Sequence, residues 1–311
     1  MNNNDKNKSK AILLLIVFTL LYLLVIQPII LTHWENTDLH RHLIKAQGDC
    51  ENAEQANWSK EACEIYKPLL GLLGNVFSGS VELFSTYGFI IIGILIPITL
   101  FWITKNWISI LFYFTTTSFF YYHIDGIYAQ ALATLFAIML LGTKDWRLEL
   151  LLVILATLAH GHGLPLAILI LIGKYIPKGI LACTGTFGNA TPEIFNQKIG
   201  QSIGGINTTV ASLIHPFTRI IPIPFLALSF YQNMKDKKTE LLFLTIVGLI
   251  GGFVVSTRVF YIVSIPMIIG LTSFYLQNQK KWGKYLIIGA LLMGIYQLYA
   301  YLNLKACIGY F

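Results

Sequence analysis

The sequence predicts an all-α integral membrane protein that crosses the bilayer about nine to eleven times. Of its 311 residues, 55% are hydrophobic and only 12% are charged, whereas a soluble domain carries about 25% charged residues. The apolar residues form long runs without the alternation of outer-membrane strands. Because a backbone in lipid must satisfy its own hydrogen bonds, helices are the predicted spanning element.

The amino-terminal part of the chain sets the predicted organisation. Residues 1–10 are polar and basic, and are predicted to form a cytoplasmic tail. The first span, 11–31, is too long for a cleaved signal peptide and is interpreted as a signal anchor. The longest polar segment follows and predicts one ordered outer loop over residues 32–81. Residues 11–311 are then a single polytopic membrane domain that includes this loop.

The remaining apolar runs predict the later spans. These lie near 82–104, 107–122, 127–142, 147–162, 163–175, 203–216, 218–231, 240–257, 258–277 and 283–303. The segment 163–216 is the least sharply patterned, and it is the reason that the number of spans is a range.

The basic residues predict the orientation, because cytoplasmic loops carry an excess of lysine and arginine. With the amino terminus in the cytoplasm, 15 of the 22 basic residues lie inside. All seven histidines then lie at the outer side, together with Asp38, Asp125, Arg219 and Arg258. Amphipathic anchoring would distribute histidines over both faces, so a polar outer site is favoured. These histidines are His33, His40, His42, His123, His160, His162 and His215.

The net charge of +7 is explained by the same excess of lysine and arginine in the cytoplasmic loops. A nucleic-acid-binding protein would show a basic stripe with interleaved aromatic residues, and this sequence has none. Nucleic acid is therefore not an expected partner, whereas membrane lipid is.

Two of the four cysteines, Cys50 and Cys63, lie in the outer loop. Their side of the membrane is predicted to be oxidising, which favours a disulfide. Such a bridge stabilises a loop of this length by roughly 3 kcal/mol in the loop-entropy model. The alternative is a pair of metal ligands, although the spacing fits no usual zinc pattern.

The residues that could carry chemistry follow the first span, in the stretch Thr32–Ala46. If this stretch is helical, Asp38, Arg41, His42 and Lys45 share one face. A carboxylate beside cations stays ionised, as a general base at neutral pH must. A salt-bridged surface loop would have the same spacing, so the pattern leaves both interpretations open.

A second candidate is His160-Gly-His162. As metal ligands these histidines would need a third partner, such as His123 or Asp125. The plain-turn interpretation is favoured for His123-Ile-Asp-Gly126, since Asp-Gly is a common turn dipeptide.

Four short segments follow one another along the chain: Asp38-Leu-His-Arg-His-Leu-Ile-Lys-Ala46, Cys63-Glu-Ile-Tyr-Lys-Pro-Leu-Leu70, Ala159-His-Gly-His-Gly-Leu164 and Arg258-Val-Phe-Tyr-Ile-Val-Ser-Ile-Pro266. Together they resemble the polytopic GT-C glycosyltransferases, which use lipid-phosphate-linked sugars; bacterial polysaccharide polymerases share part of the pattern. The likeness covers 11–140 and 148–275 in order, with short motifs.

The resemblance implies a mechanism and assigns roles to residues. Asp38 would deprotonate an acceptor hydroxyl, which then displaces polyprenyl phosphate from the sugar. Arg258 is the first choice for stabilising the departing phosphate, since arginine suits phosphate oxygens; an interfacial anchor is the alternative role. The other residues expected to bind substrate are Glu35, Arg41, His42, His160, His162 and Arg219.

The sequence departs from the family in two respects. The acidic loop lacks a strict Asp-x-Asp or Glu-x-Asp pair, so the metal requirement is open between none, Mg²⁺ and Mn²⁺. No large soluble carboxyl-terminal domain is expected, so acceptor recognition is expected to come from the membrane part, and partner membrane subunits are left open. The alternatives are a transporter or flippase for a lipid-linked or small polar substrate, and a non-catalytic GT-C-like assembly subunit.

Overall fold

The fold is helical throughout the residues that the computed structural model describes, which are 3–56, 58–64, 68–116, 126–161, 163–175, 222–254 and 260–308. Within these residues, three helical segments are long and apolar enough to cross a membrane: Asp5–His33, Val81–Thr104 and Ile262–Leu302. The predicted all-helical membrane class is thereby confirmed.

The described residues form the following α-helices, in chain order. They are α1 Asn3–Leu21, α2 Gln27–His33, α3 Asp38–Gln47, α4 Lys60–Glu64, α5 Pro68–Asn75, α6 Val81–Phe89, α7 Ile96–Thr104, α8 Ile108–Thr116, α9 Tyr128–Gly142, α10 Trp146–Ala159, α11 Gly163–Tyr175, α12 Ile223–Lys235, α13 Thr239–Val254 and α14 Phe260–Ile308.

Two of the predicted spans can be compared with the structure to different extents. Helix α14 has non-helical backbone at Asn278 (φ −121°, ψ 19°), which divides it where the sequence predicts the end of the span 258–277. The span expected at 203–216 lies outside the described residues.

Two π-helical turns lie within the first two long apolar segments. Tyr22–Ile26 joins α1 to α2, and Ile90–Leu95 joins α6 to α7. Each turn is followed directly by a helix with proline at its start. Proline has no N–H and clashes with the preceding turn of an α-helix, and the wider π turn accommodates this without ending the segment.

Side-chain contacts at and beside the two π turns hold the first two long apolar segments together. The rings of Tyr22 and Phe89 stack with centroids 4.1 Å apart. Gln27 Nε2 donates to Ser85 Oγ at 3.1 Å and to Thr86 Oγ1 at 3.3 Å. Hydrogen bonds between side chains on neighbouring helices are a general means of association in lipid.

Connections that are distant in sequence meet at one end of the helical body. A Cβ added to Gly142 would lie 2.0 Å from the Trp102 side chain, so the end of α9 touches the end of α7. Lys10 Nζ lies 4.9 Å from the centroid of the Trp107 ring. The α7–α8 connection, the α9–α10 connection and Lys10 therefore lie together at one end of the helical body, which we call the basic end.

The basic end also includes the α12–α13 connection. A Cβ added to Gly173 would lie 2.6 Å from Glu240 Cα, so the end of α11 touches the start of α13. Lys174 Nζ donates to the carbonyl oxygens of Leu140 at 2.8 Å and Thr143 at 2.7 Å, and pairs with the Glu149 carboxylate.

Lys174 and Glu149 thus form a buried ion pair that holds α9, α10 and α11 together. The side chains of Lys174 and Glu149 are only 15% and 7% exposed. The Tyr175 hydroxyl also donates to Glu149 Oε2 at 2.6 Å. Buried charges are tolerated when hydrogen bonds satisfy them, and removal of one partner is strongly destabilising.

Asp236 plays a similar part between α12 and α14. Its carboxylate accepts hydrogen bonds from Gln232 at 2.8 Å, Ser273 at 2.5 Å and Gln277 at 2.9 Å. Burial acts to raise the pKa of Asp236, but the donors Ser273, Gln277 and Gln232 outweigh it, so the pKa lies below its ordinary value.

Lys174→Met is expected to lower the free energy of unfolding by about 3–5 kcal/mol, because it leaves a buried carboxylate without its cation. Chemical unfolding in detergent micelles measures this loss. The matched control is Lys144→Met, at an exposed position of the adjacent connection. Equal unfolding midpoints for the two variants would contradict a structural role for the Lys174–Glu149 pair.

Asp236 is expected to make stability depend on pH. Since its pKa is lowered on folding, its contribution is present above the ordinary pKa of about 3.9 and is lost as pH falls through the folded value. Asp236→Asn should be less stable at neutral pH and should lose less stability on acidification, as measured by unfolding midpoints from pH 7 downwards. The control is the exposed Asp5→Asn, for which a curve parallel to that of the unaltered protein is expected.

Candidate functional site

The candidate site is built on α3, which follows the first membrane segment. Thr37 caps this helix, its side-chain oxygen accepting from the Leu39 N–H at 3.2 Å. Asp38 is the first residue of α3, where a negative charge interacts favourably with the helix dipole. The stretch is helical, so Asp38, Arg41, His42 and Lys45 have the helical spacing that the sequence interpretation required.

Asp38 and Arg41 form the central contact. Arg41 Nη1 donates to Asp38 Oδ1 at 3.1 Å. The Arg41 side chain is 37% exposed and the Asp38 side chain is 20% exposed. A partly exposed pair of this kind contributes at most about 1 kcal/mol to stability. Its main physical effect is to orient the carboxylate and to place a cation beside it.

Arg41 is held from a second direction by the outer loop. Its Nε donates to the carbonyl oxygen of Ala56 at 3.1 Å. Ala56 ends the 3₁₀ helix Cys50–Ala56, so the guanidinium bridges that segment and Asp38. Sequence spacing could predict the bond from Arg41 to Asp38, but it carries no signal for the bond to Ala56.

The disulfide keeps this loop closed. Cys50 and Cys63 are bonded, with their Cα atoms 5.6 Å apart, as the sequence predicted. Ile44, Ala53, Ala56 and Cys63 form a small buried cluster behind it. The cluster fixes the Ala56 carbonyl relative to α3, and the disulfide therefore supports the position of Arg41.

The connection before α9 meets the site at Gly126. This residue has φ +123°, and a Cβ there would lie 2.0 Å from Leu39 N and 2.5 Å from the Asp38 carbonyl carbon. Only glycine allows such close backbone approach. Gly126 is the last residue of the predicted turn His123–Gly126; His123 and Asp125 lie outside the described residues.

The other predicted residues of the outer loop lie around α3 at different depths. Glu35 is exposed on the 3₁₀ turn Trp34–Asn36, and its carbonyl oxygen lies 3.1 Å from His40 Nδ1. His42 is 7% exposed and belongs to the buried side of α3. Burial lowers the pKa of Lys45, and Glu64 acts in the opposite direction.

His160 lies at the carboxyl end of α10, where it is the C-cap residue. The preceding residue, Ala159, belongs to the same hydrophobic core as Leu43 of α3 and Leu70 of α5. Helix α10 also contacts α5, so its end lies in the part of the fold that carries the outer loop. His162, Arg219 and Arg258 lie outside the described residues, and their place in the site stays a prediction.

Metal ligands do not cluster in the described part of the chain. Within those residues, no group of three or more histidine, cysteine, aspartate or glutamate side chains is placed to hold a metal ion. Neither Mg²⁺ nor Mn²⁺ is therefore assigned a position.

Gly126→Ala is expected to disturb the start of α3, because the new Cβ would overlap the Leu39 backbone. The strain should cost on the order of 1–3 kcal/mol, visible as a lower unfolding midpoint and faster hydrogen exchange at the first turn of α3. Gly79→Ala is the control, since a Cβ there meets nothing within 4 Å. Identical exchange in both variants would remove Gly126 from the account of the site.

Comparison of this chain with protein-family models, with curated proteins and with solved structures finds no match in any of the three.

Proposed function

We propose that this protein is a membrane glycosyltransferase of the GT-C type, with about nine to eleven spans. It moves a sugar from a polyprenyl-phosphate-linked donor to an acceptor on the non-cytoplasmic face, and Asp38 is its general base. Membrane lipid and the lipid-linked sugar are its partners, with further membrane subunits left open.

The observation that carries this proposal is the environment of Asp38. The carboxylate is 20% exposed, so a substrate hydroxyl can approach it, and Arg41 holds it from one side. A general base must be ionised, within hydrogen-bond reach of the proton that it removes, and fixed in orientation. The Arg41 bridge to Ala56 and the close contact at Gly126 supply that fixed position.

The proposed step balances without a redox partner. The acceptor hydroxyl gives its proton to the Asp38 carboxylate, and its oxygen forms a bond to the anomeric carbon of the sugar. The bond between that carbon and the phosphate oxygen breaks, and its electron pair leaves with polyprenyl phosphate. The proposal includes no metal, and Mg²⁺ or Mn²⁺ would be an addition to it.

The departing phosphate needs cationic groups where its negative charge develops. Arg258 has this role in the proposal because of its match to the family motif. The second choices are Arg219, His160 and His162. Glu35, Arg41 and His42 complete the proposed substrate-binding set on the outer loop.

The proposed orientation draws support from the distribution of charge between the two ends. Lys10 meets Trp107 at the basic end, and Lys174 lies beside the end of α9. Cytoplasmic connections are the ones enriched in lysine and arginine. With the basic end in the cytoplasm, the Cys50–Cys63 disulfide belongs to the opposite side, where an oxidising compartment favours it.

Asp38→Asn is expected to reduce sugar transfer by roughly 10²–10⁴-fold, the usual contribution of a positioned acid or base. The assay uses membranes containing the variant and a labelled polyprenyl-phosphate-linked sugar. Asp49→Asn is the matched control, because it makes the same change at another position in the same outer loop. An intact Cys50–Cys63 disulfide in both variants verifies that the loop has folded.

Two outcomes would contradict the proposal. Full transfer by Asp38→Asn would remove Asp38 as the base. Ligand-driven uptake by the unaltered protein without any sugar transfer would instead identify a transporter.

A further inference from the structure

Helix α5 differs from the other helices of the outer loop in its lack of charge. It covers Pro68–Asn75 with the sequence Pro-Leu-Leu-Gly-Leu-Leu-Gly-Asn. No charged residue occurs from 68 to 81, whereas the preceding segment 49–64 contains five acidic residues and one lysine. A surface segment that faced only water would not need this composition.

One face of α5 packs into the protein. Leu70 is fully buried, and a Cβ added to Gly74 would lie 3.1 Å from Ala46 Cβ and 3.2 Å from the Phe84 ring. The missing side chain at Gly74 therefore lets α5 approach both α3 and α6 closely. Helix α3, which carries Asp38, rests on this face.

The other face of α5 is apolar and exposed. Leu72 is 69% exposed, Leu73 38% and Val76, just beyond the helix, 77%. Large exposed apolar patches mark surfaces that bind another apolar body. A short helix with this division between its faces is typical of segments that lie in the membrane interface.

The position of α5 identifies the apolar body as lipid. The membrane segment Val81–Thr104 begins six residues after Asn75, so the connection spans at most about 20 Å. Leu83, in the first turn of that segment, is 51% exposed, on a helix long and apolar enough to cross a membrane. The apolar surface of α5 therefore lies beside a surface that already faces the bilayer.

We propose that α5 is an interfacial helix whose Leu72, Leu73 and Val76 side chains enter the acyl-chain boundary of the nearer lipid leaflet. The opposite face of α5 carries α3, so the outer loop rests on the bilayer. This proposal does not depend on the glycosyltransferase assignment, because it concerns only the contact between the loop and lipid.

The experiment places an environment-sensitive fluorophore at single cysteines in the full-length protein. Val76→Cys and Leu72→Cys are made in a Cys183→Ala, Cys307→Ala background, labelled, and reconstituted into phosphatidylcholine vesicles. Part of the lipid carries a nitroxide near the top of its acyl chain. Lys60→Cys is the control, on the exposed charged part of the same loop, and mass spectrometry checks that the Cys50–Cys63 disulfide remains.

Labels at 72 and 76 are expected to show blue-shifted emission and at least twofold stronger quenching by the lipid nitroxide than the label at 60. The label at 60 is expected to be quenched by aqueous iodide instead. Equal iodide quenching at 76 and 60 would overturn the proposal. So would efficient disulfide cross-linking between two Val76→Cys chains, since it would show that a second copy covers this face.

The result is independent of catalysis. Lipid quenching at 76 in a protein that transfers no sugar would support the interfacial helix and contradict the proposed function alone. Aqueous exposure at 76 in an active enzyme would have the opposite meaning.

Discussion

The constraint on which this structure depends is that peptide groups inside a bilayer find no water. Each N–H and C=O within the spans must be bonded by the chain itself, and many polar side chains are bonded in the same way. Within the described residues, ten threonine hydroxyls donate to the carbonyl four residues earlier, at 2.6–2.8 Å. They satisfy their hydroxyls within their own helices, a known behaviour of helical threonine. These threonines are Thr19, Thr86, Thr99, Thr104, Thr115, Thr116, Thr134, Thr157, Thr245 and Thr272.

The two ends of the helical body use polar groups differently. At the basic end, the charges of Glu149, Lys174 and Asp236 are engaged by several partners and fasten neighbouring helices. At the end that carries the outer loop, Asp38 is held by Arg41 and is still partly accessible. The second arrangement presents a fixed, partly accessible carboxylate beside the Arg41 cation, and the proposed chemistry is placed at that end.

Local sequence patterns predicted the helices well where an apolar run has clear borders. The expected spans 127–142 and 163–175 correspond to Tyr128–Gly142 and Gly163–Tyr175. The expected span 218–231 corresponds to Ile223–Lys235, because the helix begins only after Pro222. A proline marks the start of a helix more firmly than average hydrophobicity does.

The site was predictable only in part, because local patterns do not encode contacts between distant segments. The Asp38–Arg41 pair follows from helical spacing, and the Cys50–Cys63 pairing follows from the predicted compartment. The Ala56 carbonyl that holds Arg41 and the contact of Gly126 with Leu39 are tertiary contacts between distant segments. No periodicity in the sequence encodes them, and Asp-Gly at 125–126 signalled a turn without indicating what the turn would touch.

The π turn Tyr22–Ile26 also sets the rotational phase of the first membrane segment. Successive residues of an α-helix turn by about 100°, and a π turn accommodates one additional residue in the segment. Without that residue, the α1 side of the segment would rotate by about 100° relative to α2. The Tyr22 ring would then no longer stack on the Phe89 ring, whereas the hydrogen bond from Gln27 to Ser85 would remain. One extra residue thus allows a single span to present two different faces to its neighbour.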